Sequence, residues 1–80
     1  MATTTSLNIA FIGGGNMASA LIAGLLAKGQ PSSLLHVVET DAEKLADFQA
    51  QGLNTYNASN IDDTKHAIEK ADVVVLAVKP

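Results

Sequence analysis

Several residue types are absent from this 80-residue sequence. It contains no cysteine and no tryptophan, and its five basic residues are all lysine, so arginine is absent. Without cysteine, disulfide bonds and thiolate metal sites are excluded. Only two histidines remain, His36 and His66, and neither stands in a His/Asp/Glu cluster with metal-ligand spacing. Without arginine or a basic cluster, and with a net charge of −3, the sequence does not predict a nucleic-acid partner.

The amino-terminal part of the chain also lacks charge, but it does not have the features of a targeting segment. No charged side chain occurs from Met1 to Ala27, and the first basic residue is Lys28. A secretory signal needs basic residues before its apolar segment, and a membrane span would hardly carry three consecutive glycines in its middle. We therefore expect a soluble, cytoplasmic protein with no membrane partner. The polar residues 1–6 are predicted to be a flexible leader.

Apolar residues, by contrast, are abundant. They make up 48% of the chain, and its mean hydropathy is +0.22. This is too apolar for a disordered segment. It is also high for a free-standing small domain, since a chain of about 60 residues buries only about 60% of its unfolded surface. We therefore expect residues 7–80 to form one incomplete domain of a larger protein, the rest of which covers an apolar face.

Hydrophobic periodicity alternates between strand and helix along the chain. The predicted strands are 7–12, 35–39, 53–56 and 72–78, and the predicted helices are 16–28, 40–51 and 63–70. Such alternation indicates an α/β fold with a parallel sheet and right-handed crossovers. The sequence thus predicts the first half of a Rossmann-type doubly wound parallel sheet, with strand order 3-2-1-4. The last strand is apolar without alternation, which predicts burial on both faces.

A glycine motif separates the first predicted strand from the first predicted helix. Residues 13–18 read G-x-G-x-x-A, the pattern typical of dinucleotide binding in this strand–helix context. Gly13 permits the tight turn, Gly15 lets a pyrophosphate approach the backbone, and Ala18 lets the helix pack closely. Gly14 has no required role in the pattern. The alternative is a glycine turn that binds no ligand.

The end of the second predicted strand carries a carboxylate. Glu39 lies 21 residues after Ala18, where dinucleotide-binding folds place the residue that meets the adenine ribose. There it would accept hydrogen bonds from the NAD hydroxyls and repel the 2′-phosphate of NADP, whereas the alternative is a solvated glutamate. Thr40 and Glu43 are predicted to form a capping box, although the Thr40 hydroxyl and N–H could also face the ribose. Lys44 is the only nearby cation.

The chain contains no recognisable acid–base machinery. His36 lies inside a strand and is predicted to be packed rather than catalytic, and His66 is predicted to be solvated. No Ser/His/Asp or Cys/His constellation occurs. The sequence therefore indicates where a cofactor would lie, but it offers no catalytic residue and no metal ligand.

Two motifs give the chain a family resemblance. The segments FIGGGNMA (residues 11–18) and ADVVVLAVKP (residues 71–80) resemble the amino-terminal domain of pyrroline-5-carboxylate reductase. The resemblance implies an oxidoreductase that reduces the small imine 1-pyrroline-5-carboxylate to L-proline with NAD(P)H, in proline biosynthesis. It also implies a second, helical domain that binds substrate and forms a homo-oligomer. That domain would be absent from residues 1–80, so the fragment alone is expected to be inactive.

The resemblance also implies which residues contact the cofactor. Those expected at the phosphate loop are Ile12, Gly13, Gly14, Gly15, Asn16 and Met17. Thr40 is expected to place its hydroxyl at the ribose. After the fourth strand, the residues whose backbone is expected to pass beside the cofactor are Ala77, Val78, Lys79 and Pro80. An adenine-side asparagine falls on Asn57 or Asn60, and Asn60 is favoured.

The choice of cofactor and of substrate leaves alternatives open. The family resemblance implies NADPH and Glu39 argues for NADH, so we expect both to be used, with a slight preference for NADPH. One alternative function is another NAD(P)-dependent dehydrogenase, of the β-hydroxyacid type. A second is a dinucleotide-binding module without catalysis. The AVKP ending favours the reductase over the β-hydroxyacid-type dehydrogenase, whereas nothing in residues 1–80 excludes the module without catalysis.

Overall fold

Four strands alternate with three α-helices in the computed structural model of the chain, which describes residues 7–77. The elements are β1 (Ile9–Ile12), α1 (Asn16–Ala27), β2 (Leu35–Glu39), α2 (Ala42–Ala50), β3 (Asn54–Asn57), α3 (Ile61–Lys70) and β4 (Val73–Leu76). A short 3-10 turn, Ser32–Leu34, precedes β2. The predicted leader, residues 1–6, lies outside the described residues. No helix among residues 7–77 is long and apolar enough to cross a membrane.

The four strands form one parallel sheet in the order β3-β2-β1-β4. In its register, Phe11 of β1 lies opposite Val37 of β2 and Val75 of β4. The predicted fold class and strand order, the first half of a Rossmann-type sheet, are confirmed. Because parallel strands share one direction, the loops that follow β1, β2 and β4 meet at the carboxyl edge of the sheet.

The main apolar core lies between the sheet and helices α1 and α2. Phe11 of β1, Val37 of β2, Ile22 of α1 and Phe48 of α2 are all buried there. Burial of each such side chain contributes about 1.5–3 kcal/mol. This packing holds α1 close against β1, so the turn between these two elements has a fixed position.

The opposite face of the sheet carries a polar cluster that consists of His36, Tyr56 and Asn8. His36 is only 3% exposed. Its Nε2 donates to Asn8 Oδ1 at 2.9 Å, so its Nδ1 accepts from the Tyr56 hydroxyl at 3.0 Å. Helix α3 packs against β2 and β3, on the face that a right-handed crossover from β3 to β4 requires. The prediction of a packed histidine is confirmed.

The environment of this cluster favours its neutral form. Burial, with a smaller contribution from the charge of Lys70, lowers the pKa of His36. Burial and the negative charge of Asp63 raise the pKa of Tyr56. Both side chains are therefore uncharged near neutral pH and pair through ordinary hydrogen bonds.

The predicted burial of the last strand is wrong. Among the described residues β4 leaves out positions 72 and 77 of the predicted segment 72–78, and Val73, Val74 and Leu76 are 41%, 42% and 71% exposed. The reason is position, because β4 is an edge strand that pairs with β1 alone among the described residues. The apolar run without alternation therefore predicted the presence of a strand correctly, but it did not predict whether other residues cover that strand.

Two predicted helix starts also need correction. The capping box of Thr40 and Glu43 does not form, because Asp41 is the N-cap of α2 and its Oδ1 accepts from the N–H groups of Glu43 and Lys44. The Thr40 hydroxyl and N–H instead donate to the preceding glutamate. Helix α3 starts at Ile61 rather than at residue 63.

Candidate functional site

A groove of about 300 Å³ lies at the carboxyl ends of β1 and β2. The residues that line it are Ile12, Gly13, Gly14, Gly15, Val38, Glu39, Thr40, Lys44, Ala58 and Ala77. Open α/β sheets bind ligands at this edge, and the volume lies at the lower end of the range for ligand pockets. The groove is therefore the candidate site.

The floor of the groove is the turn from β1 into α1. Gly13 has a φ of 101°, a left-handed conformation that side chains other than glycine rarely adopt. Its N–H donates to the Val38 carbonyl at 2.8 Å, which ties the turn to β2. The chain can thus leave β1 sharply and enter α1 with the start of that helix at the groove.

The N-terminus of α1 differs from those of the other two α-helices in residues 7–77. Asp41 and Asn60 cap α2 and α3 with side-chain oxygens, whereas Gly15, the N-cap of α1, provides no side-chain bond. A Cβ built on Gly15 would meet no atom within 4 Å. The first N–H groups of α1 have no intrahelical partner, and the helix dipole adds a partial positive charge there. This end of α1 is suited to an anion.

Glu39 joins the two loops that border the groove. Its Oε1 accepts from the Gly14 N–H at 2.6 Å, and its Oε2 accepts from the N–H groups of Thr40 at 2.8 Å and Asp41 at 2.9 Å. The Thr40 hydroxyl also donates to Oε2, at 3.2 Å. Burial opposes the ionisation of Glu39, but these hydrogen bonds outweigh burial and hold its pKa below the ordinary value. Glu39 is therefore a charged group held in place, not a freely solvated side chain.

Gly14 has a packing role that its place in the motif does not reveal. A Cβ at this position would lie 3.0 Å from Glu39 Oε1 and 3.0 Å from Phe48 Cε2. A larger residue would therefore displace the carboxylate or the core phenyl ring by a few tenths of an ångström. The expectation that Gly14 has no required role is wrong. The spacing of the glycines gives no signal for this contact, because its partners lie 25 and 34 residues further along the chain.

The structure brings most of the sequence-predicted residues to one groove. Those that line it are Ile12, Gly13, Gly14, Gly15, Glu39, Thr40 and Ala77. Asn16 and Met17 are exposed in the first turn of α1. Val38 and Ala58 also line the groove, and only their positions at and after strand ends could have indicated them. The predicted residues Val78, Lys79 and Pro80 lie outside the described residues.

The two candidate adenine-side asparagines both have local hydrogen bonds. Asn60 Oδ1 accepts from the N–H groups of Asp62 and Asp63 at the start of α3. Asn57 Oδ1 accepts from the Ser59 N–H. Between them, Ala58 is the residue that lines the groove. The contact of either side chain with adenine therefore stays a prediction.

The groove offers donors and one cation, but no metal site. Lys44 is the one basic side chain among its described lining residues. No group of three His, Asp or Glu side chains within residues 7–77 could hold a metal ion. The chemistry available here is recognition of a ligand with an anionic part.

Comparison with known proteins places the chain in a family. The family model described as NADP oxidoreductase coenzyme F420-dependent matches residues 8–80. The chain belongs to this family of NAD(P)-dependent oxidoreductase domains. The residues of the groove fit a dinucleotide, since the open space above Gly15 and the start of α1 without a side-chain cap suit a pyrophosphate.

Individual relatives of this oxidoreductase domain share one name. The chain is 47% identical over 73 residues to the pyrroline-5-carboxylate reductase of Pasteurella multocida, covering 91% of the chain and 26% of the relative. It is 49% identical over 72 residues to that of Haemophilus influenzae, covering 90% and 25%. The solved pyrroline-5-carboxylate reductase of Coxiella burnetii matches with a TM-score of 0.82 and 40% identity, over 95% of the chain and 27% of that protein. The resemblance predicted from the two sequence motifs is confirmed, and the chain spans about a quarter of the length of these relatives.

Proposed function

We propose that the chain binds NAD(P)H in the groove and that the intact protein reduces 1-pyrroline-5-carboxylate to L-proline. The observation that carries the first part is the N-terminus of α1, which opens into the groove without a side-chain cap. The reaction is proposed from the shared name of the relatives. The small imine substrate would bind outside residues 1–80, in a helical domain that also forms a homo-oligomer, and the protein would act in the cytoplasm.

In this proposal the chain's own residues bind and orient the cofactor. The backbone N–H groups of Asn16 and Met17 donate hydrogen bonds to the pyrophosphate. Because Gly15 has no side chain, the pyrophosphate can approach the backbone closely. Thr40 meets the adenine ribose, and Asn60, or Asn57, lies on the adenine side. The backbone of residues 77–80 passes beside the cofactor. The bound nicotinamide supplies the hydride, so placement is the main contribution of this domain to the rate.

We propose that both NADPH and NADH are accepted, with NADPH slightly favoured. The family resemblance supports NADPH, and the ionised Glu39 at the groove supports NADH. Lys44 offers one positive charge on the α2 side of the groove. These opposing features predict modest discrimination between the two cofactors.

Replacement of Gly15 tests the cofactor site. Gly15→Val in the intact protein should abolish binding of NADPH and NADH in a fluorescence titration, since the new side chain fills the space left for the pyrophosphate. Circular dichroism should show a retained fold, because a Cβ at this position meets no neighbouring atom. Gly24→Val is the matched control, as Gly24 also lies on α1 with open space around its Cα and does not line the groove. A folded Gly15→Val variant that binds as tightly as wild type would contradict the site.

A steady-state assay tests the proposed reaction. The intact protein should convert 1-pyrroline-5-carboxylate to proline with either reduced cofactor, whereas residues 1–80 alone should form none. Tight cofactor binding without proline formation by the intact protein would reject the reaction and retain the site. Proline formation by residues 1–80 would contradict the assignment of the substrate site to a second domain.

A further inference from the structure

A core side chain from α2 reaches the backbone of the glycine turn, residues 13–15, that forms the floor of the groove. A Cβ built on Gly14 would lie 3.0 Å from Phe48 Cε2, so there is no room for a side chain between the edge of the ring and the turn. Phe48 is buried in the core cluster that includes Phe11 of β1 and Ile22 of α1. The glycine turn therefore rests on a side chain of the core.

The need for glycine at position 14 comes from space and not from backbone conformation. The glycines with a positive φ among residues 7–77 include Gly13 but not Gly14, so Gly14 lies outside the left-handed region that favours glycine. A Cβ at this position would, however, be 3.0 Å from Glu39 Oε1 as well as from the phenyl ring. Close packing thus excludes a side chain from the middle of the turn.

This packing contact lies next to the site proposed for the pyrophosphate. On one side, Gly13 is tied to β2 by the hydrogen bond from its N–H to the Val38 carbonyl, at 2.8 Å. On the other side, Gly14 is followed directly by Gly15, the N-cap of α1, around which there is open space. The position of the first N–H groups of α1 over the sheet therefore depends on what supports Gly14.

A smaller side chain at position 48 would leave the turn without support. Besides Gly14, the Phe48 ring borders a cavity of about 230 Å³ between α1 and α2. The other side chains that line this cavity are all exposed; they belong to Ser19, Ala23, Lys44, Asp47 and Gln51. Truncation of the ring would join this cavity to the space below Gly14, so the turn would not settle on another packed side chain.

We propose that Phe48 is a positioning residue for the cofactor site: its ring supports Gly14 and so fixes the N–H groups of Asn16 and Met17 where the dinucleotide needs them. This inference rests on the proposed binding of NAD(P)H in the groove. A loop that is already held in its bound conformation costs less to order when the ligand binds. Because NADPH and NADH share the pyrophosphate, the affinities of both cofactors depend equally on this support.

The test is a double-mutant cycle between positions 14 and 48 in the intact protein, with dissociation constants of NADPH and NADH measured by isothermal titration calorimetry. Phe48→Leu should weaken the binding of both cofactors by about tenfold, because the turn loses its support. Gly14→Ala should also weaken both by about tenfold, because the added methyl group pushes the turn away from the ring. In the double variant the methyl group occupies part of the space that the ring has left, so both affinities should return to within about threefold of wild type.

Two controls separate positioning from a general loss of stability, which urea unfolding measures in every variant. Leu35→Val changes the same core at the start of β2, at the opposite edge of the sheet from the groove. Gly24→Ala adds a methyl group to α1 where the space around it is open. Both variants should bind each cofactor within about twofold of wild type. Equal weakening by Leu35→Val and Phe48→Leu would assign the effect to stability and overturn the positioning role.

Two further results would overturn the positioning role while leaving the proposed cofactor site intact. One is wild-type affinity in a folded Phe48→Leu variant, and the other is a loss in the double variant that equals the product of the two single losses. Failure of the wild type to bind either cofactor would instead reject the site and the inference together.

A second variant covers the case in which Phe48→Leu does not fold. Phe48→Met retains a long apolar side chain that is flexible enough to yield to the added methyl group. The variant with both Gly14→Ala and Phe48→Met should therefore bind NADPH and NADH more tightly than Gly14→Ala alone. Equal affinities of these two variants would contradict the contact between Phe48 and Gly14 as the cause of the effect.

Discussion

The groove and the His36 cluster are two polar regions supplied by the same strand, and they differ in how their donors are satisfied. His36 and Glu39 lie three residues apart in β2. In the cluster, neutral side chains pair with one another and are shielded by α3. In the groove, backbone N–H groups converge on a single charged side chain, and the start of α1 has no side-chain acceptor. A ligand is expected where the chain supplies more donors than acceptors.

The largest expected effect comes from giving α1 the kind of cap that α2 and α3 have. Gly15→Asp places a carboxylate at the start of α1, where the backbone has the extended φ of −76° that an N-cap residue adopts. We expect a fold at least as stable as wild type and a loss of NAD(P)H affinity of about a hundredfold, since two like charges about 4 Å apart repel by a few kcal/mol at the groove surface. Gly24→Asp adds the same charge in the middle of α1 and should bind normally. Wild-type cofactor affinity in Gly15→Asp would show that the start of α1 does not bind an anion, and the groove would then not differ from the His36 cluster in this respect.

Replacement of His36, the central residue of the cluster, should have the opposite effect: it should lower stability and leave cofactor affinity unchanged. His36→Leu leaves the Tyr56 hydroxyl and the Asn8 amide oxygen without their partner, which should lower the free energy of unfolding by about 1–3 kcal/mol. Cofactor affinity should change by less than about twofold, because no side-chain hydrogen bond within residues 7–77 joins the cluster to the groove. His66→Leu, an exposed change on α3, should alter stability by no more than about 0.5 kcal/mol. Urea unfolding and calorimetry measure both quantities.

Helix α3 connects the two regions, because it starts beside the groove and covers the cluster. Asn60→Ala removes its N-cap and should cost about 1 kcal/mol of stability. Asn60→Asp retains an accepting oxygen and should restore that stability. A loss of cofactor affinity in Asn60→Asp would then report a contact with adenine rather than a loosened helix. Equal stability of wild type and Asn60→Ala would show that the cap contributes nothing.

The smallest expected effect is a pH dependence of protein stability that is caused by the His36 cluster. The pKa of His36 is lowered in the folded protein, chiefly by burial, so the unfolded chain binds this proton more readily. His36 therefore contributes stability above its unfolded pKa of about 6.5, and this contribution is lost as pH falls from there toward the folded pKa. In thermal unfolding, the melting temperature of wild type should be lower at pH 5.5 than at pH 7.5. The same decrease should be smaller in His36→Leu. An identical decrease in both proteins would assign it to other groups.

The architecture was predictable from the sequence because it follows from local pattern. The change from apolar runs to helical spacing and back indicated the parallel sheet, and the glycine motif between β1 and α1 located the groove. These signals lie within about ten neighbouring residues. The strand order was expected from the dinucleotide-binding fold that the alternating pattern indicates, and it is the order observed.

The details that were not predictable depend on the surroundings of a residue, which the local pattern does not report. The exposure of β4 depends on what lies beyond the edge of the sheet, and no pattern within the strand reports it. Asp41 rather than Thr40 caps α2 because Thr40 is held by Glu39, a competition for donors that the capping-box pattern ignores. The contact of Gly14 with Glu39 and Phe48 exists only after both helices have packed. In the first case β4 has no second neighbouring strand among residues 7–77, in the second an adjacent residue competes for the donors, and in the third a tertiary contact is decisive.

The most direct test of the central claim is amide hydrogen exchange at the start of α1 in the intact protein, with and without saturating NADPH. The N–H groups of Asn16 and Met17 have no side-chain cap from Gly15 and should exchange quickly in the free protein. Cofactor binding should slow them by about tenfold or more, while the N–H groups at the other end of the helix, at Lys28 and Gly29, which already donate to carbonyls of α1, should not change. Unchanged exchange at Asn16 and Met17 in a protein saturated with cofactor would contradict the binding of the dinucleotide at this helix.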